Sequence, residues 1–284
     1  FGVPLSLSNL ERKHTSGVFE VGMSKAGEID RLTKIIKPDI GVITNVGEAH
    51  IENFKNISYI AKAKGEIIDN IKKDGTLLLN RDDRFFNYFL KRAKKNKIKN
   101  IISIGFSEKS DVKIKYYKLL KKQQKLIIKI KKNHYSITSP MINPYSLTIS
   151  LTIMNILNID IKKSLKYFKN IYPLDGRGKY YNIKRFNTSF KLIDETYNAN
   201  PYSVKNAIKK LSESKNNTSK KYILLSDMLE LGKKSEFYHK DLSKIINKAD
   251  IDKVFVYGDK ILNTYKKIKI KKRGNILQNK SDFD

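Results

Sequence analysis

Apolar positions along this chain follow two rhythms, one alternating and one helical, and the two take turns. Strand-like runs at 17–21, 40–44, 76–80 and 100–106 are separated by amphipathic stretches at 28–36, 56–73 and 83–95. Pro38 stops the first of these helices, because the residue before a proline is pushed out of the helical region. The rhythm then changes. Residues 112–120 and 125–131 alternate apolar and charged side chains around the polar turn KKQQ, which predicts an antiparallel hairpin. Residues 145–157 return to helix. The turn-rich segment PLDGRGK (173–179) follows, and beyond it strands near 189–193, 222–226 and 253–257 alternate with helices near 201–213, 235–248 and 259–268. The expected fold class is α/β: a mostly parallel sheet with an added antiparallel hairpin over 1–175, then a Rossmann-like α/β domain over 176–284.

Within this frame DETYNANP (194–201) is the most informative run. It leaves the apolar segment 190–193 and enters a helical pattern, so its polar groups crowd one strand-to-helix turn. Asn200 suits a helix N-cap and Pro201 the first turn, which is ordinary capping chemistry. Capping does not explain Asp194, Glu195 or Asn198. In open α/β sheets the carboxyl ends of strands are where ligands bind.

Lys64 falls on an apolar stripe through Ile57, Ile60, Ala61, Ile67, Ile68 and Ile71, whereas Lys62, Lys72 and Lys73 fall elsewhere. A lysine on a core-facing stripe must snorkel, pair or lose its charge. A neutral amine can react with carbon dioxide to give a carbamate, an oxygen donor for metals; a snorkelling side chain at the core's edge is the plainer alternative. Glu20 closes VFEVG and His50 ends TNVGEAH, each at or just after the carboxyl end of an expected strand. Together they are reasonable ligands for a divalent cation held against phosphates. Alone, His50 reads as a loop histidine bonded to backbone and Glu20 as an edge carboxylate. Arg177, between Gly176 and Gly178, is placed to meet a phosphate or to be a plain turn residue. Asp227 and Glu230 in LLSDMLELG again follow a strand, where helix-start carboxylates are also common.

Composition narrows the picture. A chain of 284 residues accommodates two domains of ordinary size, and the absence of cysteine excludes a disulfide framework and fits a reducing compartment. Residues 135–159 carry no charge, but Pro140, Asn143, Pro144 and several hydroxyl residues interrupt them, so no membrane span is expected. The formal charge of +30 comes mainly from scattered lysines, with only eight arginines. Base readers and phosphate clamps favour the forked guanidinium, so nucleic acid is not expected as a partner.

Five of these segments, TNVGEAHIENF, AKAKGEI, PLDGRGK, DETYNANP and SDMLELG, occur in an order that resembles the Mur ligases. Similarity runs from FGVPLSL to about Gly258. DETYNANP and SDMLELG look most like the branch that joins D-alanyl-D-alanine to UDP-N-acetylmuramoyl-tripeptide. The resemblance implies a cytoplasmic ATP- and Mg2+-dependent carboxylate–amine ligase of peptidoglycan synthesis, expected to be a monomer, working through an acyl phosphate. It implies that Glu20 and His50 ligate magnesium, that Lys64 as a carbamate supports a second magnesium, and that Asn45 lies near the phosphates. It also implies that Arg177 contacts ATP phosphate, and that Asp194, Glu195, Tyr197, Asn198 and Asn200 serve nucleotide and substrate.

The chain departs from the family pattern at Ser146, where an adenine-contacting asparagine is usual, at Ser226 for a glycine and at Glu195 for an aspartate. The family's glycine-rich phosphate loop and closing strand and helix are not among these residues. The loop and a uridine-nucleotide domain are therefore expected upstream, and the residues shown are expected to be inactive alone. A sister ligase adding another amino acid, including the folylpolyglutamate type, and an inactive basic binding protein on the same fold are the alternatives.

Overall fold

Local sequence accounts for several helices and strands of this protein, and tertiary contacts account for others. The computed structural model describes residues 2–120, 123–185, 187–214 and 219–283, so Lys121 and Lys122 of the expected KKQQ turn lie outside the described residues. After helix α1 (Gly2–Ser8), α2 (Glu28–Ile36) carries Glu28 and Asp30 in its first turn, where they favour the positive end of the helix dipole. It ends at Lys37, in the left-handed region at φ 47, just before Pro38. Between these helices the expected strand at 17–21 is not formed: the segment joins no ladder and Val18 is 97% exposed. A run of β-branched and aromatic residues only states that a strand would suit it, and here no neighbouring strand pairs with it.

Strand β1 (Ile40–Ile43) leads through a long loop to α3 (Ile57–Lys64), which is capped by Asn56 Oδ1 accepting from Ser58 N–H at 2.9 Å. The single long helix expected over 56–73 breaks at its middle into a 3-10 stretch, Gly65–Asn70. Arg92 explains the break. Its Nη1 donates to Lys62 carbonyl oxygen at 2.9 Å, taking an acceptor that an unbroken helix would use, and it fills the space beside Gly65. Strand β2 (Thr76–Asn80), helix α4 (Phe86–Lys95), β3 (Asn100–Gly105) and the hairpin β4 (Val112–Leu119) and β5 (Gln124–Ile130) follow as expected. A further strand, β6 (Asn133–Ser139), was not legible because NHYSITS is mostly polar, yet Tyr135, Ile137 and Ser139 turn one buried face inward. Helices α5 (Pro144–Ile156) and α6 (Ile161–Ser164) complete this part. The six strands lie in the order β1-β2-β3-β4-β5-β6, with β1 to β4 parallel and β4, β5 and β6 antiparallel.

Beyond α6, β7 (Lys179–Arg185) and β8 (Thr188–Asp194) pair as a two-stranded antiparallel ribbon. The strand expected near 189–193 therefore does not join the following parallel sheet. A neighbour a few residues away closes a shorter loop than a distant strand would, and β7 supplies it. Helix α7 (Pro201–Glu213) leads to β9 (Tyr222–Ser226), α8 (Ser235–Lys248), β10 (Lys253–Tyr257), the short α9 (Leu262–Tyr265) and β11 (Arg273–Leu277). These three strands are parallel, in the order β11-β10-β9. The helix expected near 259–268 is shorter, α9, and Arg273 donates to the carbonyls of Lys266 and Ile268 just past its end. No helix among the described residues is long and apolar enough to cross a membrane.

Two apolar clusters hold the structure. One lies between the large sheet and α5, around Leu78, Ile104, Leu126, Ile128 and Leu151. The other runs from Ile60, Ile68, Leu77 and Phe89 into Met228, Leu242, Ile246 and Val254, so the large sheet's packing continues into the C-terminal sheet. Asn200 caps α7 reciprocally with Ser203. Asn200→Ala is expected to lower stability by about 1 kcal/mol, read as a lower urea midpoint with an unchanged slope.

Candidate active site

Lys64 ends α3 half-buried, in the helix that also buries Ile60 and Ala61. Burial pulls its pKa down, because an ammonium loses hydration there, while the negative charges of Asp83 and Glu20 oppose the shift. Lys64, Asp83 and Glu20 thus share one electrostatic neighbourhood. Glu20 lies outside any helix or strand rather than on the expected strand, is exposed, and makes no hydrogen bond or ion pair among the described residues. Asp83 was missed by the sequence reading. It follows β2 in NRDDR, and its Oδ2 accepts from Val46 N–H at 2.8 Å, fixing the loop that leaves β1. Its position just past a strand's carboxyl end is the same signal that marked Asp194. Its neighbour Asp82 accepts from the N–H of Phe106 and Ser107 and from the Tyr145 hydroxyl, and so ties β3 to the start of α5. Ser146 is exposed on the first turn of α5, next to Tyr145.

The β1 loop carries Asn45, half-buried, and His50, whose backbone is left-handed at φ 57 as it opens the 3-10 turn Ile51–Asn53. Thr44 carbonyl oxygen accepts from Asn80 Nδ2 at 3.0 Å, pinning the loop's start to β2. His50 Nδ1 lies 2.5 Å from Glu230 Oε2, out of line for a hydrogen bond, and is buried without a hydrogen-bond partner. Among the described residues no three His, Cys, Asp or Glu side chains converge closely enough to hold a metal ion by themselves. The donors nonetheless suit magnesium, which takes few protein ligands and keeps waters or phosphate oxygens for the rest. Glu20 is an uncommitted carboxylate, His50 an imidazole whose Nδ1 lies against Glu230, and Lys64 a desolvated amine able to take up carbon dioxide.

A third group forms where the ribbon begins. Gly176 and Gly178 adopt φ 71 and 87, and between them Arg177 lays its guanidinium 4.0 Å from the centre of the Tyr197 ring. Asp194 holds this turn: its carboxylate accepts from Gly176 N–H at 3.1 Å and its carbonyl from Gly178 N–H at 2.7 Å. Bonds from Thr196, hydroxyl first and then N–H, keep the Asp194 pKa low. Glu195 reaches solvent but backs onto Gly178, and desolvation pushes its pKa up. Asn198 is exposed, and Asn200 spends its carbonyl on the α7 cap. The Val46–Asp83 hydrogen bond ties the first two groups together, and among the described residues no hydrogen bond or ion pair joins the Arg177 turn to either.

Residues 1–150 match the Mur ligase middle domain, and residues 182–280 match the Mur ligase glutamate ligase domain. The chain belongs to the Mur ligase family. The UDP-N-acetylmuramoyl-tripeptide–D-alanyl-D-alanine ligase of Rickettsia prowazekii is 36% identical over 90% of this chain and 57% of its own length. The ligase of the same name from Bacillus subtilis is 31% identical over 90% of this chain and 54% of its own length. A crystal structure of MurF from Acinetobacter baumannii superposes with a TM-score of 0.86 at 25% identity, covering 99% of this chain and 59% of that one. This Mur ligase chain therefore spans a little over half the length of the relatives it matches, and its α/β architecture with a mainly parallel sheet and an antiparallel hairpin is theirs.

Proposed function

We propose that this chain forms the middle and C-terminal domains, divided at Gly176, of an ATP-dependent ligase that joins D-alanyl-D-alanine to UDP-N-acetylmuramoyl-tripeptide. The observation that carries the reading is Lys64: a desolvated amine faced by Glu20 and Asp83, in a family-matched segment, where a neutral amine is what carbamate formation requires. The turn from Gly176 to Gly178 precedes the ribbon and supports the boundary.

In this reading the tripeptide carboxylate attacks the γ-phosphorus of ATP and ADP leaves. The dipeptide amine then attacks the acyl carbon, and phosphate departs from the tetrahedral adduct as the amine's proton is lost. Glu20, His50 and the Lys64 carbamate would hold magnesium. Bound there, the cation offsets phosphate charge. Asn45 lies near the phosphates, Arg177 offers its fork to a phosphate oxygen, and Asp194, Glu195, Asn198 and Asn200 present the C-terminal polar groups to nucleotide and substrate. The enzyme would work as a cytoplasmic monomer, where ATP and nucleotide-linked precursors are found.

The test is ADP release by the protein expressed from its complete reading frame, with UDP-N-acetylmuramoyl-tripeptide and either D-alanyl-D-alanine, a single amino acid or none. Release that depends on the dipeptide is expected; release driven equally by glutamate would overturn the assignment in favour of a sister ligase. Arg177→Ala is expected to lower kcat/KM for ATP about 10-fold, the worth of one charged hydrogen bond. Arg177→Lys should recover little, because a lysine has neither the fork nor the flat face that rests on Tyr197. An unchanged steady-state profile for both variants would remove Arg177 from the phosphate site.

A further inference from the structure

The loop of SDMLELG is seated on the loop of TNVGEAHIENF by contacts of several kinds. Glu52 N–H donates to Glu230 carbonyl oxygen at 3.1 Å. Gly232, left-handed at φ 55, lies so close to Glu52 that a Cβ added to it would come within 2.9 Å of Glu52 Cβ. Met228 and Leu231 are buried in the same apolar cluster as Val46 and Ile51. Glu230 itself is left-handed at φ 59, an uncommon state for a residue with a side chain, and it brings the carboxylate to 2.5 Å from His50 Nδ1. That nitrogen is buried and has no hydrogen-bond partner.

A histidine that ligates a metal through one ring nitrogen almost always donates from the other to a carboxylate, a carbonyl or water, which fixes its tautomer and ring orientation. We propose that Glu230 is the positioning carboxylate for His50, acting through Nδ1 and leaving Nε2 as the ligating nitrogen. The carboxylate arrives from the far side of the boundary, so metal binding is coupled to seating the C-terminal sheet on the β1 loop. The inference rests on the reading of His50 as a magnesium ligand.

The test uses Mn2+ alone as the probe, with free metal read by electron paramagnetic resonance, on the protein from its complete reading frame. Glu230→Ala is expected to weaken Mn2+ binding about 10- to 100-fold. Glu230→Gln keeps the backbone bond to Glu52 and a carbonyl oxygen that can accept from Nδ1–H, and is expected to recover most of the loss. In a His50→Ala background Glu230→Ala should cost nothing further, a dependence that a merely structural glutamate would not show. Losses that add in the double variant would overturn the proposal. A loss on His50→Ala with none on Glu230→Ala would overturn it while keeping His50 as ligand. No loss on His50→Ala would overturn both.

Discussion

Lys64→Met is expected to lower ligation by at least about 100-fold, as losing a metal-supporting group does, while leaving the protein more stable. The two effects have one cause. Lys64 is held where its ammonium form is disfavoured, and methionine fills the same volume without a charge to desolvate. The pH dependence has a definite sign. Because the folded pKa lies below the ordinary value of 10.5, both folded and unfolded chains are protonated at low pH and the burial penalty is felt in full. As pH rises from the folded pKa towards 10.5, the unfolded chain holds a proton that the folded one has lost, and the wild type gains stability. The advantage of Lys64→Met in urea midpoint, measured in buffer free of carbon dioxide, should thus be largest near neutrality and shrink towards that pH. Bicarbonate should not restore activity to the variant. Near-normal turnover by Lys64→Met would end the carbamate assignment.

His239→Leu is expected to cost about 2 kcal/mol of stability, the price of an unmade buried hydrogen bond. The imidazole is fully buried on α8. Its Nδ1 lies 2.7 Å from Ser235 carbonyl oxygen and must donate there, so Nε2 is the acceptor for Met228 N–H at 3.0 Å. Leucine has similar bulk but leaves the Met228 N–H unpaired. Met228 begins the loop that places Leu231 and Glu230, so amide exchange at Glu52, which donates to Glu230, should also quicken. His239→Gln can return an acceptor near the Nε2 position and should recover part of the loss. A urea midpoint for His239→Leu indistinguishable from wild type would show that the loop is held by its apolar contacts alone.

What could be read from the sequence follows from what each pattern measures. The run TLLLN announced β2 because a strand covered on both faces is continuously apolar, and Leu77, Leu78 and Leu79 are all buried. VFEVG is also strand-like but pairs with no neighbour among the described residues, and no local rule shows the absence of one. β6 and β7 were missed for the opposite reason: NHYSITS and KYYNIKR are polar, and backbone pairing with β5 and β8 makes them strands. Lys64 stood out because a charge on an apolar stripe is a local contradiction. Asp83 carried the same strand-end signal as Asp194 but opens the expected helix 83–95, where a carboxylate is ordinary. His239 had no signal, since a lone histidine in an amphipathic helix is defined only by the distant amide it meets. Glu230 was noticed as a strand-end carboxylate, but its nearness to His50 belongs to the tertiary fold.

The β7–β8 ribbon pairs from Lys179 with Asp194 to Arg185 with Thr188, so the Arg177 turn and the DETYNANP turn leave it at one end. The hydrogen bonds from Gly176 and Gly178 to Asp194 hold the two turns to each other. If Arg177 and Asp194 take ligands as proposed, the two sites are linked by these bonds rather than through the apolar core. Reciprocity then follows from linkage: by whatever factor a ligand at Arg177 tightens binding at Asp194, a ligand at Asp194 tightens binding at Arg177.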